Sequence, residues 1–162
     1  MLYYEVMKSL VLTTLILVAS IASAEPLAVG STLPRTVPDQ HGEVRVIDDS
    51  VRVVVFSRDM DAGKVVRAAV EKAGPDLFDR NGAVYVVNIT GMPTIIRSLF
   101  ALPAMRRRPY RMLVDVEGAK TADFPGGATY PTVMVLDKRK VTSLSYPASA
   151  DALIGLLESR AQ

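Results

Sequence analysis

Two near-continuous β-branched runs with a helical stretch between them constrain this chain more than any other feature. Val51 to Ser57 reads Val-Arg-Val-Val-Val-Phe-Ser, and Ala83 to Ile89 reads Ala-Val-Tyr-Val-Val-Asn-Ile. Runs of that kind suit strands covered on both faces. Between them the period changes. Ala62, Val65, Val66, Ala69, Val70 and Ala73 fall at i, i+3, i+4, i+7, i+8 and i+11, an amphipathic helix. Asp59 is placed to cap it and Gly74-Pro75 to stop it. A strand-helix-strand unit requires a parallel pair joined by a right-handed crossover.

The alternation continues. Gly91-Met92-Pro93 turns into a predicted helix carrying Ile95, Ile96, Leu99, Phe100 and Leu102, closed by Pro103. Arg111 to Val116 reads as a third strand, followed by a loop or short helix with Ala122, Phe124 and Gly126-Gly127. Thr132–Asp137 and Val141–Tyr146 form a predicted hairpin across the turn Asp137-Lys138-Arg139-Lys140. A last helix starts near Ser149 and offers Leu153, Ile154, Leu156 and Leu157 to the core. A short strand, Val44–Ile47, precedes all of these after the turn Asp39-Gln40-His41-Gly42. The order predicts one three-layer α/β/α domain. It has a mixed central sheet, helices on both faces, and a C-terminal β-hairpin plus helix.

The first residues read as targeting. Lys8 is followed by an apolar run from Ser9 to Ile21, then Ala22-Ser23-Ala24 and Glu25-Pro26. A basic start, an apolar middle and an A-x-A end describe a secretory signal peptide over residues 1–24, leaving a single domain over 25–162. Met7 offers a second start, with residues 1–6 an upstream artefact. The run is short for a ~30 Å hydrocarbon core, so no permanent membrane span is expected after cleavage. The expectation is export by the general secretory route, to a bacterial periplasm. A net charge of +2 is too weak for a nucleic-acid footprint.

The chain holds 162 residues with no Cys and one His. Disulfides, a lipid-anchoring thiol, thiolate metal sites, Cys nucleophiles and dithiol chemistry are therefore chemically excluded. A lone His cannot build a multi-histidine metal site. The sequence contains no G-x-G-x-x-G and no phosphate loop, so no cofactor and no metal is expected.

Three segments carry a resemblance. They are Val29-Gly30-Ser31-Thr32-Leu33-Pro34 with Asp39-Gln40-His41-Gly42-Glu43, then Pro109 to Gly118, then Tyr130-Pro131-Thr132-Val133-Met134-Val135-Leu136-Asp137. In their order and spacing they resemble the thioredoxin-like superfamily, in its branch of peroxiredoxins and secreted thiol oxidoreductases. The resemblance implies a thioredoxin-like fold and a cis peptide bond before Pro131. It also implies a redox centre just after the strand ending Val55-Phe56. There this chain has Ser57-Arg58-Asp59-Met60-Asp61-Ala62-Gly63-Lys64, without sulfur save the Met60 thioether. Thiol-disulfide exchange and Cys-peroxidase activity need a thiolate and are excluded.

What the resemblance leaves is its non-covalent half, a groove of Ser57, Arg58, Asp59, Met60, Tyr130 and Pro131 able to pair with an extended peptide. The implied function is a redox-inactive binding module for a polypeptide or an envelope protein partner, and not an enzyme. The plainer reading is that Pro131 only shapes a turn and Met60 is a surface residue. An enzyme of other chemistry, a carboxylate- or Ser57-based hydrolase, is the alternative. It would need Ser57 within reach of His41 in a cleft, or a strongly perturbed carboxylate. A structural part of an envelope complex fits the same residues.

The remaining signals are weaker. Arg106-Arg107-Arg108 has the charge to hold a phosphate, an anionic lipid headgroup or an acidic partner, although three charges alone favour a solvated loop. His41, between Asp39 and Glu43, reads as a turn residue, not as a metal ligand. Asp48-Asp49 and Asp59/Asp61 read as caps. Asn88-Ile89-Thr90 fits the glycosylation pattern but sits at a strand end.

Overall fold

The computed structural model describes residues 25–33, 35–127 and 129–160. The segment read as a signal peptide, 1–24, lies outside the described residues. Two short strands, β1 (Arg35–Pro38) and β2 (Val44–Ile47), come first. They are followed by β3 (Val53–Ser57), helix α1 (Met60–Ala73), a single turn α2 (Leu77–Arg80) and β4 (Ala83–Asn88). Helix α3 then runs unbroken through Thr94–Ile96, a π-helical turn Arg97–Ala101, and Leu102–Arg106. Strand β5 (Leu113–Asp115), a 3₁₀ turn (Ala119–Thr121), strands β6 (Thr132–Asp137) and β7 (Lys140–Ser145), and helix α4 (Ala150–Glu158) complete the chain.

The central sheet has the order β5-β4-β3-β6-β7. Strands β3, β4 and β5 are parallel; β6 runs antiparallel to β3, and β7, antiparallel to β6, returns to the direction of the first three. Every residue of β3 is buried, which is why its sequence is a continuous apolar run and not an alternating one. The β6–β7 turn places Lys138 at φ 45° and Arg139 at φ 70°, the left-handed pair that a two-residue hairpin turn requires.

Two parts of the expected layering differ. The chain steps from β3 to β4 to β5 in one direction across the sheet, so two right-handed crossovers put α1 and α3 on the same face. Val53 and Val55 pack there with Val66 and Ala69 of α1, Leu77 and Phe78 of α2, and Leu153 and Leu157 of α4. The opposite face, with Val54 and Phe56, is covered by the separate β1–β2 hairpin through Val37 and Ile47, and by Phe124. A β-hairpin thus takes the place of helices as the second outer layer.

The second difference is in α3. Pro103 does not end this helix. It cannot donate to the Leu99 carbonyl, and the π turn just before it widens the backbone, with the Leu102 N–H bonded to Arg97 O. The core takes Leu102 and Met105 from α3, while Ile95, Ile96, Leu99 and Phe100 stand in solvent. No helix among the described residues is long and apolar enough to cross a membrane.

Candidate functional site

The carboxyl end of β3 and the start of β6 lie side by side, with Phe56 paired to Thr132. The loop that faces them is held from below by a buried polar network. Asp115, at the end of β5, accepts from the Gly118 N–H, the Thr121 N–H and the Thr121 hydroxyl, each at 2.8 Å. Asn88, at the end of β4, donates to Thr121 Oγ1 at 2.9 Å. Gly118 turns the chain at φ +77°, where a Cβ would sit 2.8 Å from Thr90 Cγ2, so only glycine fits without a shift.

Arg58 leaves β3 and reaches across to this loop. It donates to Thr121 O at 3.0 Å and Phe124 O at 3.3 Å, with its guanidinium over the Phe56 ring. Phe56 in turn meets Phe124 edge-on at 5.0 Å. Thr132 Oγ1 donates to Pro125 O, and Leu27 N donates to Asp123 O, both at 2.7 Å. Arg35 closes the outer side in an ion pair with Asp123. The open groove between them measures about 650 Å³ and is lined by Arg58, Asp123, Phe124, Gly126, Tyr130 and Tyr146, among others. Tyr130 is 43% and Tyr146 50% exposed, two aromatic walls open to solvent. The N–H groups of Gly126, Gly127 and Tyr130 bond to no other described residue.

Of the six residues expected to form a groove, the structure brings two together, Arg58 and Tyr130. Pro131 is buried behind Tyr130, and its peptide bond is trans, as are all those described. That corrects the cis bond implied by the resemblance, and agrees with the modest intrinsic trans preference of X–Pro bonds. Asp59 caps α1, accepting from the Asp61 N–H at 3.1 Å. Met60 is exposed at the first turn of α1 but does not line the groove.

Ser57 is corrected more sharply. It points to the same face as Val53 and Val55, is fully buried, and shares a 2.6 Å hydrogen bond with the Tyr85 hydroxyl. Burial pushes Tyr85 up to about 12, against the opposing hydrogen bond from Ser57. His41 is exposed on the Asp39 turn, so the serine-hydrolase geometry is not formed. Burial alone would raise the Asp39 carboxyl. Hydrogen bonds from the His41 and Glu43 N–H groups, with Arg45 nearby, outweigh it and hold the group below its usual range. Asp48 is lowered by the hydroxyl and N–H of Ser50. Both are firm anions, not poised acids.

The basic loop divides. Arg106 Nε donates to Gln40 O at 3.2 Å, Arg107 is exposed, and Arg108 borders a smaller recess of about 320 Å³ with Asp39, His41 and Tyr110. The Asn88 amide is spent inside the fold, so the glycosylation pattern there is not presented to solvent. Sequence reasoning missed the loop 122–127 and Tyr146. Gly126-Gly127 marked flexibility, but nothing local tied it to Arg58.

The fold is thioredoxin-like, a mixed five-stranded sheet in the arrangement shared by peroxiredoxins. The peroxidoxin BcpB of Mycobacterium tuberculosis superposes with a TM-score of 0.54 at 24% identity, over 83% of this chain and 96% of that one. A peroxiredoxin-like protein from Aquifex aeolicus gives 0.52 at 11% identity, over 85% and 90%. Peroxiredoxin Q of Xanthomonas campestris gives 0.51 at 14%, over 78% and 91%. No protein-family profile matches the chain. No curated protein matches it either.

Proposed function

We propose that this chain is an exported, redox-inactive thioredoxin-like domain that works by binding an extended polypeptide. The polypeptide would be a segment of an envelope protein, and the groove between Arg58 and Tyr130 would take it. The observation that carries this reading is the groove itself, lined by two half-exposed tyrosines and by residues whose main-chain N–H groups have no partner in the described fold. An extended chain recognised by main-chain hydrogen bonds, with aromatic walls for alternate side chains, uses such a surface. The chain shares its fold with redox proteins and has no cysteine. The end of the sheet where thiol chemistry would sit therefore has a groove but no thiol. Export to the periplasm belongs to the same proposal and rests on residues 1–24.

Selection of displayed unstructured peptides on the immobilised domain tests the reading. We expect enriched peptides whose binding drops at least tenfold in Tyr130→Ser and Tyr146→Ser, about the loss of one stacked aromatic contact. Peptides that bind both variants as well as the parent, or no enrichment at all, would overturn it.

A further inference from the structure

Helix α3 is an inverted amphipathic helix. Ile95, Ile96, Leu99 and Phe100 recur at helical spacing, the pattern of a core-facing stripe, yet each is 47% to 70% exposed. The fold holds α3 by its other side, through Leu102 and Met105 in the core cluster and Arg97 donating to Val116 O at 2.9 Å. Four large apolar side chains on one convex helix face exceed the scattered exposure normal for a surface.

The charge around that stripe is one-sided. From residue 80 to residue 114 the sequence contains no Asp or Glu, while Arg97, Arg106, Arg107, Arg108 and Arg111 all lie on α3 or just beyond it. Two turns on from Phe100, Arg107 continues the apolar side and is exposed. The carboxylates that line the recess beside Arg108, Asp39 and Glu43, are already engaged by Arg45. Arg106, Arg107, Arg108 and Arg111 form no salt bridge among the described residues.

We infer that α3 docks on an anionic phospholipid surface. Ile95, Ile96, Leu99 and Phe100 enter the boundary between headgroups and acyl chains, and the Arg106–Arg108 run engages lipid phosphates. An apolar face flanked by Arg, with no acidic residue among them, is the composition of an interfacial helix lying in the plane of a membrane. Lipid fits better than a protein partner because every charged group on the helix or in the segment just beyond it, through Arg111, is a cation. A bilayer of mixed anionic lipid supplies both phosphate and apolar depth without a matching shape. The groove is not involved, so this inference stands apart from the proposed function.

Co-sedimentation of the domain with phospholipid vesicles tests it, using phosphatidylcholine alone and phosphatidylcholine mixed with phosphatidylglycerol. Binding is expected to the mixed vesicles only, and to weaken with added salt. Phe100→Ser and Leu99→Ser should each cut partitioning about tenfold, and Arg107→Ala roughly fivefold. Tyr146→Ser should leave it unchanged. The four positions are exposed, and an unchanged unfolding midpoint confirms that the variants fold. No binding to mixed vesicles, or binding that survives the α3 substitutions, overturns the inference. A dimer in solution that Phe100→Ser dissolves would also overturn it, assigning the face to a second copy of the chain.

Discussion

Ser57 and Tyr85 show how one hydrogen bond separates a core from a site. A serine just before a helix N-terminus reads as a surface group, but strand alternation turns Ser57 inward, and the partner hydroxyl comes from another strand. Tyr85→Phe leaves the Ser57 hydroxyl buried without a partner, which should cost about 1–3 kcal/mol in chemical denaturation. The parent protein also makes a pH prediction. Tyr85 ionises near 10 unfolded and about 12 folded. The stability this gives is complete below pH 10 and disappears as pH rises from 10 to 12. Alkaline unfolding should therefore steepen in that window in the parent and flatten in Tyr85→Phe. By contrast, the Asp59 cap was legible, because a cap needs only its own helix, whereas the Ser57 partner lies 28 residues away.

At the scale of elements, the central strands were written in continuous apolar runs and the helices in a period of about 3.6, but their faces were not. The stripe of α3 is plainly helical. Which side of that helix meets the core depends on where β5 docks, a tertiary fact, and the core took Leu102 and Met105 instead. The same holds for the sheet. The Val53–Ser57 run announces a central strand, while the placement of both crossover helices on one face follows from strand order alone. The segment 119–127 has no period at all, and its sequence reads as a loop or short helix without a place in the fold. Its position comes from Arg58 above and Asp115 below. Arg58→Ala should leave global stability within ~1 kcal/mol, because the residue is exposed. It should also speed amide exchange in residues 119–127 about tenfold, near the worth of one charge-assisted hydrogen bond. Unchanged exchange there would mean the loop holds its shape without Arg58.

For the whole molecule, the fold was readable because the order and spacing of its segments specify it without any reactive residue. The Tyr130-Pro131-Thr132 segment still starts β6 beside the end of β3, as the resemblance implied. The groove was half readable. Arg58 and Tyr130 were named from their places in that pattern, while Tyr146 enters only because β7 returns to the same end of the sheet. No thiol is present anywhere in the chain, so this end of the molecule performs no thiol chemistry, and the proposed function is that it acts by contact. In-cell photo-crosslinking from a probe at Tyr130 tests that claim most directly. The control is the same probe at Lys138, in the hairpin turn about 20 Å away along β6. A discrete adduct from Tyr130 and none from Lys138 is the predicted result, and its mass would identify the bound polypeptide. Equal labelling at both positions, or none at either, would contradict the account.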